Sequence, residues 1–183
     1  MATSTLGESI VVVTIWTSLV LYAIGEYLKA KDPHRITVAP KARVALSLGA
    51  VSYLVHVATA FEVHYDWNHA TAYTQTAIQT SAATGMNWGG GIWINYAFSA
   101  LWISEALWWW VGAENYRQRP RLAEHAIRGI FLFMILNGAV VFVDSPMRWV
   151  GIAISLWVIG VWYYDVVAVS RTPLTLAPPE RRV

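Results

Sequence analysis

The sequence contains no cysteine. This absence excludes disulfide bonds, thiolate metal sites, iron–sulfur clusters, covalently attached c-type haem and thiol nucleophiles. It does not indicate the redox compartment in which the protein works. Any metal or redox chemistry would therefore depend on histidine and carboxylate side chains.

Formal charge is also scarce, since 13% of the 183 residues are Asp, Glu, Lys or Arg while 56% are hydrophobic. Between Asp66 and Glu105 there is no charged residue at all. Histidine is concentrated beside this uncharged interval, where His56, His64 and His69 make up three of the five histidines of the chain. The interval is too polar to cross a bilayer, so its lack of charge calls for another explanation.

Five apolar runs are each long enough to cross the ~30 Å hydrocarbon layer, which takes roughly 20 helical residues. Backbone polar groups cannot remain unpaired in lipid, so each run is expected to be a helix. The sequence therefore predicts an all-α integral membrane bundle of five transmembrane helices, with one domain over residues 1–170 and a flexible cytoplasmic tail over 171–183. The predicted spans lie near residues 8–28, 43–64, 89–112, 124–143 and 147–169.

Lys and Arg are distributed unevenly among the connections. Twelve of the thirteen lie between the first two helices, around the connection between the third and fourth, or in the tail, and only Arg148 lies elsewhere. By the positive-inside rule, this pattern predicts an external N-terminus and a cytoplasmic C-terminus in a multi-pass protein of the cell inner membrane. The segment 61–91 is then periplasmic or extracellular.

A short external helix is predicted between the second and third spans, over about residues 66–84. Asp66 is expected to cap its start and Gly85 to end it. Its surface of Ala, Thr, Gln and Ser favours packing as a lid over the bundle, or against another subunit, rather than insertion into lipid. The glycines at 89–91 then allow either a close backbone approach or a hinge.

Three imidazoles and two carboxylates fall within fourteen residues at the predicted outer face: His56, Glu62, His64, Asp66 and His69. Imidazole and carboxylate groups are ligands for copper, iron or zinc, and two of the histidines could instead hold one b-type haem. Ionisable groups inside a membrane are costly and often functional. The alternative is that these side chains are interfacial polar groups and that His56 is a hydrogen-bonding partner within the bundle.

Three more residues are predicted to bind the cofactor beside His56. Asn95 and Asn137 lie at a comparable depth on the third and fourth spans, and Tyr73 on the external helix could donate a hydrogen bond. Alternatively, each asparagine could form a hydrogen bond between two helices. Toward the inner side, Glu105 is a candidate proton or ion site or a structural partner. The other acidic residues near the inner helix ends are Glu26, Glu114 and Asp165.

These patterns predict an inner-membrane protein with a transition-metal or haem site at its periplasmic face, acting as a redox (oxidoreductase) component or a metal-handling protein. Whether it is an enzyme stays open. The alternative is a non-catalytic accessory subunit of a larger membrane complex or homo-oligomer, and a small transporter or channel comes third. The expected partners are the lipid bilayer and other membrane subunits or copies of the chain, and no nucleic acid. The histidine boxes of membrane di-iron enzymes are absent, as is the Asp-x3-His pattern of copper membrane monooxygenases, so no family assignment follows.

Overall fold

The computed structural model describes residues 2–31, 39–143 and 146–171, and within these ranges it contains helices and no strand. The prediction of an all-α chain is confirmed. The predicted tail beyond Arg171 lies outside the described residues. The helices are α1 (Ala2–Lys31), α2 (Ala39–Tyr65), α3 (His69–Thr84), α4 (Gly91–Val111), α5 (Ala113–Arg117), α6 (Arg121–Leu136), which continues into a π-helical turn (Asn137–Val141), and α7 (Met147–Arg171).

Four segments are long and apolar enough to cross a membrane: Thr5–Lys31, Pro40–Tyr65, Arg121–Val141 and Met147–Val167. They support a multi-pass membrane protein. The fifth predicted span corresponds to α4, which has 21 residues but does not reach the same hydropathy. It carries five of the eleven tryptophans of the chain. Tryptophan counts as polar on hydropathy scales although it is enriched at membrane–water boundaries, so the fifth span stays a prediction.

The helices α1 and α2 form a closely packed antiparallel pair. Near the start of α1, a Cβ added to Gly7 would lie 2.6 Å from Cγ2 of Val63 near the end of α2. Near the end of α1, a Cβ added to Gly25 would lie 2.5 Å from Cγ of Leu46. Small residues at both ends of the contact let the two backbones approach, which is how membrane helices gain packing energy without a hydrophobic driving force between them.

An aromatic core joins this pair to α4 and α6. It consists of Tyr22, Tyr53, Phe98, Trp102 and Phe131, all of them buried. Tyr22 is stacked on Phe131 with ring centroids 4.5 Å apart, and Trp102 meets Phe131 edge-on at 5.0 Å. Such pairs contribute about 0.5–1.5 kcal/mol each beyond the burial of their area. The core fixes the positions of four helices around the site described below.

The remaining long helix, α7, packs on α1 and on the π-helical turn. At the second contact the two backbones touch: a Cβ added to Gly151 would overlap the carbonyl oxygen of Ala139 and lie 2.7 Å from its carbonyl carbon. A π-helical turn widens the helix locally and redirects its carbonyl groups. Only glycine leaves room for this turn against α7.

The helix α3 begins later than predicted and has a different cap. The residues Asp66 and Trp67 both have positive φ, 47° and 55°, which ends α2 and reverses the chain. Asn68, rather than Asp66, is the N-cap, and its side chain accepts a backbone hydrogen bond at 3.1 Å. The predicted stop is confirmed, because Gly85 caps the C-terminus with φ 79°.

The surface of α3 is largely exposed in the single chain, where only Ala72 and Thr80 of this helix are buried. The expectation that its uncharged surface packs within the protein is therefore not met inside one chain. Of the two interpretations of the glycines, close approach is found at Gly89, where an added Cβ would overlap the backbone and ring of Tyr73.

Candidate functional site

The five predicted metal ligands have separate surroundings. Within the described ranges, no three His, Asp or Glu side chains are placed to hold a metal ion. Asp66 occupies the turn after α2. The partners of the others are the Val11 carbonyl for His56, Trp67 for Glu62, Glu8 for His64 and the Tyr96 hydroxyl for His69. The single chain does not bring these five side chains together, so a metal or haem bound to them stays a prediction.

The other three predicted cofactor-binding residues also lie apart. Asn95 is exposed, and Asn137 donates its side-chain amide to the Phe133 carbonyl of its own helix at 2.7 Å. Tyr73 is exposed on α3. Across the part of the chain that the structure describes, His56 is hydrogen-bonded to none of them.

His56 instead belongs to a line of hydrogen bonds that joins α1 to α2. Each bond links a side chain of one helix to a backbone carbonyl of the other, about one helical turn from the next. The pairs are Ser18 to the Gly49 carbonyl (2.9 Å), Ser52 to the Thr14 carbonyl (2.8 Å) and His56 to the Val11 carbonyl (2.9 Å). Such bonds contribute roughly 0.6–1.7 kcal/mol in membrane bundles. The bond to Val11 agrees with the alternative interpretation, in which His56 is a hydrogen-bonding partner within the bundle.

His56→Ala is expected to lower the free energy of unfolding by about 1 kcal/mol, because it removes one of these bonds. Thermal unfolding in mild detergent measures the loss, and Ser52→Ala is the matched control, since it removes a neighbouring bond and no potential metal ligand. Metal analysis and an optical spectrum of the same samples test the sequence-based prediction. A Soret band or stoichiometric metal that disappears in His56→Ala and His69→Ala, but not in Ser52→Ala, would restore the metal or haem site.

The structure assembles a buried charged cluster at the other end of α1, and the sequence did not predict it as a unit. Its side chains are between 1% and 12% exposed, although all are ionisable. Charges at such burial are costly unless they are paired. The charged cluster consists of Glu26, Lys29, Glu105, Arg119, Glu124, Arg128 and Asp165.

Arg128 is the centre of the charged cluster. Its guanidinium group lies 2.8 Å from Asp165, 3.3 Å from Glu26 and 3.3 Å from Glu124. The indole of Trp162 donates a further hydrogen bond to Glu26 at 2.8 Å. Through this one side chain, α1, α6 and α7 are held together.

Arg119 extends the charged cluster to α4. It pairs with Glu105 at 2.7 Å and approaches Glu124 at 3.6 Å. Its guanidinium carbon lies 4.1 Å from the ring centroid of Tyr116, which in turn is stacked on Trp109 at 4.6 Å. Burial raises the pKa of Tyr116, so its hydroxyl keeps its proton and donates to Glu105 at 3.2 Å.

Two cations of the charged cluster, Arg128 and Lys29, lie within or directly beside a predicted apolar span. Arg128 lies inside the predicted span 124–143, although the positive-inside rule counts it as a marker of the cytoplasmic side. Lys29 was placed just beyond the first span, but α1 continues to Lys31 and Lys29 pairs with Glu26 at 2.7 Å in a buried position. An arginine within an apolar run is the signal that could have identified the site.

A small cavity of about 30 Å³ opens beside the charged cluster. At about 10–15 Å³ for each water-sized group, it has room for roughly two of them. The rings of Trp102 and Trp109 form part of its wall. Its charged lining has four cationic and two acidic side chains: Lys29, Arg43, Arg119, Arg128, Glu26 and Glu105. Two further acids, Glu124 and Asp165, pair with the same cations, so cationic and acidic groups are equal in number.

The cavity also has unused hydrogen-bond donors. Within the described residues, the buried Nε atoms of Arg43 and Arg119 have no hydrogen-bond partner. An unsatisfied buried donor costs about 1–3 kcal/mol, and more when it is charged. The two acids that line the cavity are already engaged, Glu26 by Lys29 and Glu105 by Arg119. Two arginines of the cavity lining therefore each keep one donor without a partner.

Comparison with known proteins does not extend this description. No protein-family model, curated protein or solved structure matches the chain. The function is therefore argued from the charged cluster and its cavity.

Proposed function

We propose that this protein has five membrane-spanning helices and binds a small ligand with an oxyanion group, a carboxylate or a phosphate, in the cavity of the charged cluster. One observation carries the proposal. Arg43 and Arg119 both line the cavity, and each has a buried Nε donor without a partner while the neighbouring acids are paired. Binding rather than chemistry is proposed, because the site supplies guanidinium hydrogen-bond donors but no activated nucleophile.

The fifth span in this proposal is α4. Its 21 residues measure about 31 Å at 1.5 Å per residue, which matches the hydrocarbon layer, and Glu105 is its one formally charged residue. With five spans, the positive-inside rule puts the charged cluster on the cytoplasmic side and α3 on the external side. Its cations, Lys29, Arg119 and Arg128, are then among the residues that set the orientation.

Stability alone is a weak reason for such a cluster. Replacing a buried ion pair by apolar residues of similar volume is often neutral or stabilising, because desolvation offsets the Coulomb attraction. Ionisable groups within membrane helices accordingly tend to mark ligand or ion sites. Seven charged side chains drawn from α1, α4, α6, α7 and the segment before α6 therefore favour a binding role.

An oxyanion satisfies the site better than a cation or an apolar group. A guanidinium group presents several N–H donors in one plane and matches the geometry of carboxylate and phosphate. The surrounding aromatic rings exclude water, which strengthens the attraction between a guanidinium group and an oxyanion.

A second candidate function, an accessory subunit or a homo-oligomer, is favoured by the exposed side of α3. Tyr73 and Ile78 are exposed there, as are Trp88 and Trp93 just after it, on a segment without formal charge. Surfaces of this composition are typical of protein interfaces. A redox or metal-handling role would instead require the histidines, which the metal analysis above tests.

Titration of the purified protein with acetate and with inorganic phosphate tests the proposed function. We expect a saturable change in tryptophan fluorescence, because Trp102 and Trp109 line the cavity. In Arg43→Gln the apparent Kd should rise roughly tenfold or more, the effect of losing a charged hydrogen bond. Arg43 suits the test because its contacts are the Trp109 carbonyl and the Trp110 ring, so no described carboxylate loses its partner.

The control is Arg117→Gln, the same change at a more exposed arginine that pairs with Glu114 outside the charged cluster. Its Kd should equal that of the unaltered protein. The proposal is wrong if neither oxyanion gives a saturable signal, or if Arg43→Gln and Arg117→Gln behave alike.

A further inference from the structure

The cavity is covered toward the ends of the helices. In the described residues, Tyr116 is 2% exposed and the Arg119 side chain is 1% exposed, and both line the cavity from the connection between α4 and α6. Tyr116 is held on one face by Trp109 and on the other by Arg119. A ligand that arrived along the bundle axis on this side would have to displace both residues.

The wall between α2 and α4 is different, because residues that line the cavity there are in contact with an exposed side chain. Arg43 and Ser47 of α2 line the cavity, and Arg43 is only partly buried. The guanidinium group of Arg43 lies 4.0 Å from the ring centroid of Trp110, whose indole N–H donates to Ser47 at 2.9 Å. Trp110 itself is 51% exposed. On this lateral face of the bundle, an exposed side chain therefore contacts two residues that line the cavity.

The surface on either side of Trp110 is apolar. Val44 and Leu48 are exposed on α2, and Leu107 and Val111 are exposed on α4. The helix α2 is one of the candidate membrane spans, and in the proposed five-span arrangement this surface faces lipid. Arg43 lies three residues after Pro40, where that span begins, a depth at which arginine and tryptophan bridge the acyl chains and the headgroups.

On the basis of the proposed function, we infer that the ligand is a carboxylate amphiphile taken from the bilayer, a single-chain fatty acid in chemical class. Its carboxylate occupies the cavity beside Arg43 and Arg119, and its chain lies along the apolar face of α2 and α4. The volume of about 30 Å³ matches the two oxygens of a carboxylate better than a phosphodiester. Entry from the side of the bundle would let a ligand reach Arg43 and Arg119 although Tyr116 covers the cavity at the ends of the helices.

The test uses the whole chain in nanodiscs of zwitterionic lipid and three matched probes. Dodecanoate has both the chain and the oxyanion, dodecanol has the chain alone, and acetate has the oxyanion alone. We expect an Arg43-dependent, saturable fluorescence change with dodecanoate, none with dodecanol, and binding of acetate weaker by roughly a hundredfold or more, because its methyl group buries little apolar area. Arg43→Gln should weaken dodecanoate binding roughly tenfold, and Arg117→Gln should not.

The outcomes separate this inference from the proposed function. If acetate binds as tightly as dodecanoate, the chain contributes nothing and the amphiphile is excluded, while the oxyanion site stands. If dioleoyl phosphatidate competes at lower concentration than dodecanoate, the ligand is a phosphate lipid and the carboxylate class is wrong. If no probe gives a signal that Arg43→Gln weakens, both the inference and the proposed function fail.

Discussion

Arg128→Met is expected to lower the free energy of unfolding by about 3–5 kcal/mol, the range measured when one partner of a buried ion pair is removed. The guanidinium group of Arg128 is the shared partner of Glu26, Glu124 and Asp165. Methionine has a similar length but no charge, so Asp165 would lose its one described cation, and Glu26 and Glu124 would each lose one of theirs while keeping Lys29 nearby. Asp165 would then have to take up a proton or draw in water.

Thermal unfolding in mild detergent measures the effect, and the melting temperature should fall by roughly 10 °C for a chain of this size. Arg121→Met is the control, because Arg121 lies on the same helix in an exposed position. Adding Asp165→Leu to Arg128→Met should recover part of the loss, since it removes one unpaired carboxylate. If Arg128→Met unfolds within 1 °C of Arg121→Met, Arg128 does not hold the three acids in the folded protein.

Gly151→Ala is the second substitution with a large expected effect, a loss of about 3 kcal/mol in the free energy of unfolding. The added Cβ overlaps the carbonyl group of Ala139, and a backbone group cannot rotate away as a side chain can. Either α7 must move from the π-helical turn, or the turn must change its conformation. Both outcomes disturb the position of α7, which carries Asp165 of the charged cluster.

The matched control is Gly160→Ala on the same helix, where no atom lies within 4 Å of the added Cβ. Because alanine forms helix better than glycine by about 1 kcal/mol, this variant should be neutral or slightly more stable. Melting temperatures of the two variants measured side by side give the comparison. Equal losses would mean that helix composition, and not the contact with Ala139, limits the substitution.

The helices themselves could be predicted, because apolar runs of this length have few alternatives in a membrane. The ends of α3 were predictable only in part. Gly85 stops the helix as expected, but the start depends on the positive φ values of Asp66 and Trp67, for which the sequence carries no clear signal. The three histidines are close in sequence, but the helices to which they point differ. His56 and His64 contact α1, whereas the turn redirects His69 toward α4.

The charged cluster could not be predicted as a unit for a different reason. Glu26 and Arg128 are 102 residues apart, and apolar periodicity gives no information about which charged groups meet across a bundle. Glu26, Glu105 and Asp165 are recognisable from the sequence as acids near predicted span ends. The arginines are ambiguous, because a cation near a span end can mark the orientation of the protein or pair with a buried acid.

The charged cluster has a consequence for biogenesis. In α1, Glu26 pairs with Lys29 three residues later, and in α6, Glu124 pairs with Arg128 four residues later. Each of these helices can therefore leave the translocon with its buried charges already neutralised by its own sequence, which lowers the cost of lateral release into lipid. Among the described residues, Glu105 and Asp165 have no such partner on their own helices and pair instead with Arg119 and Arg128. Insertion can thus proceed helix by helix, and α7 completes the cluster when it packs against the helices before it.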